Sequence, residues 1–116
     1  MAFTEIQNTN NREFGQQTII NAVAAAGGAG TTYVLPFMCS KFTVVFSYTG
    51  TPTAVSDVFQ GSLDNSTWFD LHTNTTAAGA TVHVVYKPVK YIRGNVGAMT
   101  GGSSPKSTIK VAGARV

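Results

Sequence analysis

The side chains able to carry out chemistry are few and scattered along the chain. His72 and His83 lie eleven residues apart on different predicted strands, and no spacing of histidine, cysteine and aspartate matches a zinc site. Cys39 is the single cysteine and follows two apolar residues, which predicts a buried structural thiol. Asp64 and Asp70 flank a predicted turn, where carboxylates bind calcium or, more often, cap the turn. We therefore expect no catalytic residue, no metal, no cofactor and no enzymatic activity.

The most informative segment is a predicted β-hairpin over residues 59–71. A strand, a tight turn at Asp64-Asn65-Ser66 and a second strand follow one another, and the only tryptophan begins the second strand. Asn65 fits the turn because asparagine tolerates a positive φ. We expect the tryptophan to nucleate the core together with apolar neighbours of the hairpin. These core candidates are Phe59, Leu63, Trp68 and Leu71.

An alternative interpretation of the same hairpin is a carbohydrate-binding site. Jelly-roll domains often bind sugars with exposed aromatic rings and with Asp or Asn side chains. The candidate glycan-binding residues are Trp68, Asp70, His72 and Asn74. This alternative requires the indole ring to lie exposed, so accessibility of the tryptophan to a quencher separates it from the core prediction.

The remaining pattern is that of an all-β protein. Residues 42–48 alternate strictly, with Phe42, Val44 and Phe46 on one face. Further strands are predicted over 18–23, 55–63, 68–72, 81–86, 89–99 and 107–112, with a break at Pro88. Gly61 indicates a bulge or close packing under an aromatic ring. About seven or eight strands without a long helix predict a single-domain antiparallel β-sandwich or jelly roll over residues 16–116, preceded by a flexible polar arm over residues 1–15.

Composition limits the class of protein further. The chain has 116 residues, enough for one domain that buries a core without disulfides. Only 11% of the residues are charged, against about 25% in ordinary soluble domains. Such a surface is typical of extracellular, virion or fibre proteins, and of chains whose surface is reduced by assembly.

Charge is divided unevenly between the two parts of the chain. Residues 1–70 contain all five acidic residues and two basic ones, whereas residues 71–116 contain six basic residues and no acidic one. We interpret these basic residues as solvent-facing positions that prevent unwanted strand pairing, with binding to an acidic partner as the alternative. We do not expect a nucleic-acid partner, because only Tyr86 and Tyr91 accompany the basic residues as stacking groups.

The N-terminus indicates where the chain is made. Residues 1–5 lack a basic region followed by an apolar run, and the longest stretch of low polarity, residues 22–29, is too short to span a bilayer. We therefore expect a soluble protein that is made in the cytoplasm and does not associate with a membrane.

Four segments together resemble a known group of proteins. They are residues 58–64, which include Gly61-Ser62-Leu63-Asp64, then Trp68-Phe69-Asp70-Leu71, Val89-Lys90-Tyr91-Ile92-Arg93 and the turn at residues 99–102. This order resembles small tailed-phage virion proteins that carry a Gly-Ser-Leu-Asp hairpin, a basic aromatic strand and a glycine-rich turn. The resemblance covers about residues 42–113.

The resemblance implies a head decoration, or cement, protein. Such a protein would form dimers or trimers on the capsid surface of the virion and would bind the major capsid protein. We assign its interface to the N-terminal arm and to basic residues of the resembling strand. The candidate interface residues are Phe3, Glu5, Ile6, Arg12, Phe14, Lys90 and Arg93.

Overall fold

The structure is a computed structural model that describes residues 13–115 and the backbone of residues 3–5. The described residues form eight β-strands and no helix. The strands are β1 (Phe3–Glu5), β2 (Glu13–Ala24), β3 (Gly28–Ala29), β4 (Thr32–Thr49), β5 (Ala54–Ser62), β6 (Trp68–Asn74), β7 (Ala80–Thr100) and β8 (Lys106–Arg115).

The strands are hydrogen-bonded in the order β2-β8-β4-β7-β5-β6, and every pairing along this path is antiparallel. Strand β3 adds to β7, also antiparallel, and β1 runs parallel to the start of β4. The chain is therefore an all-β, single-domain protein of the β-sandwich class, as the sequence predicts.

Two long strands contribute to both layers of the sandwich. The second half of β4 pairs with β8 and with the first half of β7, and together with β2 these form one layer, the β2–β8 layer. The second half of β7 pairs with β5 and with the first residues of β4. These segments and β6 form the β5–β6 layer. Because β4 and β7 run through both layers, the sandwich is one continuous sheet that folds over its own core.

The core lies where the inner faces of the two layers meet. Phe42, Val44 and Phe46 of β4 are buried, as the alternating pattern predicts. The ring of Phe42 meets that of Phe59 on β5 edge to face, with 5.2 Å between centroids and 70° between planes, which is a favourable aromatic arrangement. Cys39 is also buried, and its burial raises the pKa of the thiol to about 11.

Two predicted strand boundaries are wrong. Strand β4 begins at Thr32 rather than at residue 42, and β7 continues through Pro88 instead of breaking there. Opposite Ser40 of β4, strand β7 has the three residues Tyr86–Pro88, so its ladder is interrupted at this point. Proline is tolerated in a strand at such a bulge because no hydrogen bond from its nitrogen is required there.

The predicted end of the N-terminal arm, at residue 15, is also wrong. Strand β2 begins at Glu13, and Phe14 is only 2% exposed, so residues 13–15 belong to the sandwich rather than to an arm ending at residue 15. The backbone of Phe3–Glu5 pairs with Thr32–Val34 of the same chain. The predicted arm residues 1, 2 and 6–12 lie outside the described residues.

Two glycines allow close packing between strands and layers. A Cβ atom on Gly61 would lie 2.7 Å from Val89 Cγ1 and 2.9 Å from Leu71 Cδ1, so the close packing predicted at this glycine is confirmed, although aliphatic side chains take the place of the expected aromatic ring. A Cβ atom on Gly94 would lie 2.4 Å from Ile20 Cγ1 in the opposite layer and 3.1 Å from Ile109 Cδ1. The β7 backbone therefore approaches the β2–β8 layer closely at Gly94.

We expect Gly94→Ala to lower the free energy of unfolding by about 1–3 kcal/mol, because the added methyl group overpacks the space between the layers. Gly15→Ala is the matched control, since a Cβ atom there would meet nothing within 4 Å, and its effect should stay within about 0.5 kcal/mol. Urea unfolding of both variants measures the difference. Equal losses of stability would contradict the close approach at Gly94.

Candidate functional site

Residues from three neighbouring strands form a cluster on the outer face of the β5–β6 layer. Gln60 of β5 lies opposite Arg93 of β7 on one side and opposite Asp70 of β6 on the other, and Ser62 lies opposite Trp68. The guanidinium carbon of Arg93 is 4.2 Å from the centre of the Trp68 ring. We call Gln60, Trp68, Asp70 and Arg93 the Arg93 cluster.

Hydrogen bonds connect the polar members of the Arg93 cluster in a chain. Arg93 Nε donates to Gln60 Oε1 at 2.8 Å, and Gln60 Nε2 donates to Asp70 Oδ1 at 3.0 Å. Gln60 therefore links the cation to the carboxylate. Arg93 is half-buried, and this burial lowers the pKa of the guanidinium, although an arginine stays charged at physiological pH.

Trp68 lies outside the core, contrary to the prediction from the hairpin. The indole is half-buried at the start of β6, and its Nε1 atom is buried without a hydrogen-bond partner. The prediction is also wrong for Leu63, which is 60% exposed beside the turn, whereas Phe59 and Leu71 are in the core as predicted. The guanidinium of Arg93 covers one face of the indole ring, so a sugar could stack on that face only after Arg93 moved away.

The four candidate glycan residues do not share one face. Trp68 and Asp70 belong to the outer cluster, whereas the His72 ring packs 5.8 Å from that of Phe46 and faces the core. Asn74 is only 2% exposed. The register between β5 and β6 shifts at this point, since Phe59 lies opposite His72 whereas the next residue, Gln60, lies opposite Asp70. This shift leaves one extra residue in β6, which reverses the side of the sheet on which the following residues lie.

Asn74 belongs to a buried polar cluster between the layers. Its Nδ2 donates to the hydroxyl of Tyr48 at 2.8 Å and to the carbonyl of Thr76 at 3.3 Å. Burial raises the pKa of Tyr48 to about 12. Nearby, the hydroxyl of Ser107 donates to the fully buried carboxylate of Asp57. These groups form hydrogen bonds inside the fold and cannot bind a sugar.

The candidate capsid-interface residues differ in their burial and in how far the structure describes them. Phe14 is buried within its own chain rather than exposed to a partner, and its ring lies beside Gly113, where an added Cβ would lie 2.4 Å from the Phe14 Cε2 atom. Lys90 and Arg93 are both half-buried on β7. Phe3 and Glu5 lie in β1, of which only the backbone is described, and Ile6 and Arg12 lie outside the described residues.

A second exposed surface surrounds the β7 bulge of Tyr86–Pro88. None of the candidate interface residues predicted from the sequence lies in this bulge. Tyr86 is 82% exposed and has a φ of 61°, and Val85 before it is 47% exposed. The available signal was Pro88, which marks an irregularity in an otherwise alternating strand. A sequence pattern shows that a strand is interrupted there, but not that an aromatic side chain is turned outward.

The hairpin turn uses Asp64 as a cap, as the sequence predicts. Asp64 Oδ1 accepts hydrogen bonds from the backbone N–H groups of Thr67 at 2.8 Å and Ser66 at 2.9 Å, and from the Ser62 hydroxyl at 3.0 Å. These bonds lower the pKa of Asp64. Asn65 has a φ of 61°, as expected for this turn. Within the part of the chain that the structure describes, no group of three or more His, Cys, Asp or Glu residues could hold a metal.

The comparisons with known proteins agree with the fold class. The scan against protein-family models finds no match, and the search of curated proteins finds none either. The solved structure of the SPBc2 prophage-derived protein YomS is similar to this chain with a TM-score of 0.64 and 14% sequence identity, over 88% of this chain and 92% of that one. The fold thus occurs in a phage-derived protein.

Carbohydrate-binding modules also have a similar fold. The module CBM32-3 from a family 31 glycoside hydrolase of Clostridium perfringens matches with a TM-score of 0.53 and 12% identity, over 87% of this chain and 73% of that one. The chitosan-binding module 1 of a chitosanase/glucanase from Paenibacillus sp. IK-5 matches with a TM-score of 0.51 and 22% identity, over 79% of this chain and 74% of that one.

No helix long and apolar enough to cross a membrane occurs among the described residues.

We expect Asp64→Asn to lower stability at about pH 6 and to have a smaller effect at about pH 2.5. The lowered pKa means that the charged carboxylate stabilises the folded state. This contribution is present above the ordinary pKa of 3.8 and is lost as the pH falls through the lower pKa of the folded state. Urea midpoints of the wild type and the variant at the two pH values measure it. A difference that is independent of pH would contradict the role of the charge.

Proposed function

We propose that this protein is a non-enzymatic structural component of a tailed-phage virion that decorates the head by binding the major capsid protein. The sequence resemblance to small virion proteins and the shared fold with a prophage-derived protein support this proposal. The observation that carries it is the exposed aromatic residue Tyr86 on the β7 bulge.

Tyr86 has a conformation that the isolated domain does not favour. A left-handed backbone costs a residue with a side chain about 1–2 kcal/mol, and a tyrosine at 82% exposure recovers little of this by burial within its own chain. Bulges turn side chains toward new directions, often at functional positions. Tyrosine is among the residues that contribute most to protein interfaces. We infer that Tyr86 is buried against a partner protein.

The surface next to the bulge combines exposed apolar side chains with positive charge. On the outer face of the β2–β8 layer, Lys41 pairs with Val85 and Lys110 pairs with Val45. Both valines are exposed. Apolar side chains beside lysines suit a partner surface that is partly apolar and acidic. We propose that the β7 bulge and the neighbouring residues Lys41, Val45, Val85 and Lys110 form the contact with the capsid.

The role of such a contact is mechanical. A protein that binds the assembled shell, but not its separated subunits, stabilises the assembled state by mass action. We propose that dimers or trimers of the chain occupy the capsid surface and that each bridges neighbouring capsid subunits. A standard interface buries roughly 800 Å² of each partner. The described surface totals 5921 Å², which leaves room for contacts both with the shell and with another copy.

We expect Tyr86→Gly to weaken binding to phage heads that lack this protein by at least about 10-fold, as for an interface hot spot. The free protein should keep its stability or gain up to about 1 kcal/mol, because glycine adopts a positive φ without strain. Head binding is measured by sedimentation with purified heads, and stability by urea unfolding. Strong binding by the variant would contradict the proposed contact.

Ala22→Gly is the matched control for this substitution. Ala22 is exposed on β2 and has a φ of 52°, so the change relieves comparable backbone strain without removing an aromatic side chain. We expect its binding to heads to equal that of the wild type. A loss of binding equal to that of Tyr86→Gly would show that backbone strain, rather than the tyrosine ring, controls the interaction.

Carbohydrate binding is the second candidate function. The observation that favours it is the Arg93 cluster, in which a half-exposed tryptophan is surrounded by amide, carboxylate and guanidinium groups. Electron cryomicroscopy of the virion separates the two candidates. Density of this size over the head lattice would support decoration. A bare head, with the protein on the tail or fibres, would reject decoration and favour glycan binding.

A further inference from the structure

We propose that Arg93 binds a carboxylate side chain, Asp or Glu, of the partner protein. This inference rests on the proposed function, since it names a second contact with a protein partner, on the face of the β5–β6 layer. Arg93 is held by two contacts, its terminal nitrogens are free, and no carboxylate among the described residues binds it.

The guanidinium of Arg93 is fixed in both position and orientation. Its central carbon lies over the Trp68 ring, 4.2 Å from the ring centre, and its Nε atom donates to Gln60 Oε1 at 2.8 Å. The ring contact holds the position of the group, and the hydrogen bond sets the direction of its Nε–H bond. Because an arginine side chain loses rotamer freedom when it binds, this prior ordering lowers the entropic cost of binding a ligand.

The terminal nitrogens of Arg93 remain available. Among the described residues, Arg93 makes the hydrogen bond through Nε and the contact with Trp68, and neither Nη atom makes a hydrogen bond. The buried side-chain atoms without a partner are Asp57 Oδ1, Asn65 Oδ1 and Trp68 Nε1. The Nη atoms are not among these, so solvent reaches them. Two N–H groups in this fork match the spacing of the two oxygens of a carboxylate.

The described residues supply no carboxylate to Arg93. Asp70 belongs to the same cluster, but it accepts its hydrogen bond from Gln60 Nε2 at 3.0 Å and forms no ion pair with Arg93. Arg93 is thus a half-buried cation whose burial is not offset by a direct ion pair. A carboxylate from outside would provide the missing counter-charge.

A carboxylate fits this position better than a phosphate group. The site offers one guanidinium fork, and the carboxylate of Asp70 lies one side chain away, on the other side of Gln60. That negative charge disfavours a dianion more strongly than a monoanion.

The test is a titration of the full-length 15N-labelled protein followed by NMR. The probe is N-acetyl-glutamate N′-methylamide, and its neutral control is the corresponding glutamine compound. We expect the glutamate compound to shift the Arg93 Nε–H and Trp68 Nε1–H signals with a Kd of about 1–30 mM, as for one exposed charged contact. Equal shifts with the glutamine compound would overturn the proposal without any need for a variant.

Arg93→Lys keeps the charge but removes the fork and the stacking. We expect the Trp68 signal of this variant to respond at least about 10-fold more weakly to the glutamate compound. Arg115→Lys is the matched control, because the guanidinium of Arg115 also lies over an aromatic ring, that of Phe37 at 5.3 Å, and the Trp68 signal of this variant should respond like that of the wild type. A response of Arg93→Lys equal to that of the wild type would overturn the proposal. Binding of glucuronate at least 10-fold tighter than binding of the glutamate compound would also overturn it, because that result would indicate an acidic sugar as the ligand.

The head-binding assay separates this inference from the proposed function. Weaker head binding by Arg93→Lys, together with an unchanged Ala22→Gly control, supports both proposals. If Arg93→Lys binds heads like the wild type while Tyr86→Gly does not, decoration stands and the Arg93 contact is overturned. If the wild type binds no heads but binds the glutamate compound through Arg93, the carboxylate site stands and the decoration function is overturned.

Discussion

The whole structure depends on two strands that belong to both layers of the sandwich. Strands β4 and β7 run through both layers and pair with each other in each of them, so one sheet encloses the core. The layers can close only where their inner faces fit. Phe42 meets Phe59 edge to face, and Gly94 admits Ile20 where any side chain would collide. Interlayer packing of this kind makes a long, bent strand stable.

The same constraint creates the irregular part of the surface. Between its pairings with Lys41 and Cys39 of β4, strand β7 has three residues opposite one, and this bulge turns Tyr86 outward with a positive φ. Beyond the bulge, β7 enters the β5–β6 layer and carries Arg93 to its outer face. One strand therefore supplies both proposed contact residues, on surfaces that belong to different layers. Their spacing is set by the path of β7 rather than by a mobile loop.

The fold alone does not choose between protein and sugar as the partner. A phage-derived protein and carbohydrate-binding modules share it with this chain at low sequence identity, and function depends on surface residues rather than on the sandwich. Around Trp68 those residues place a guanidinium over the ring, where a sugar would otherwise stack. Around Tyr86 they expose an aromatic and two valines beside lysines. An exposed tyrosine is typical of protein interfaces, whereas the ring of Trp68 would accept a sugar on the covered face only after Arg93 moved.

The sequence by itself determined the features that depend on neighbouring residues. Strict alternation places Phe42, Val44 and Phe46 in the core, and the turn chemistry of Asp64 and Asn65 appears as predicted. The all-β class follows from the same short-range patterns, because strand periodicity and turn preferences are local properties.

Only the tertiary structure decided which side chains share a surface. A single register shift turns His72 and Asn74 inward while Trp68 and Asp70 stay outside. Arg93 joins Trp68 only because β5, with Gln60, lies between β6 and β7. Bulges and strand order arise from pairing between distant segments and from the closure of the two layers, and the residues beside each position do not encode them.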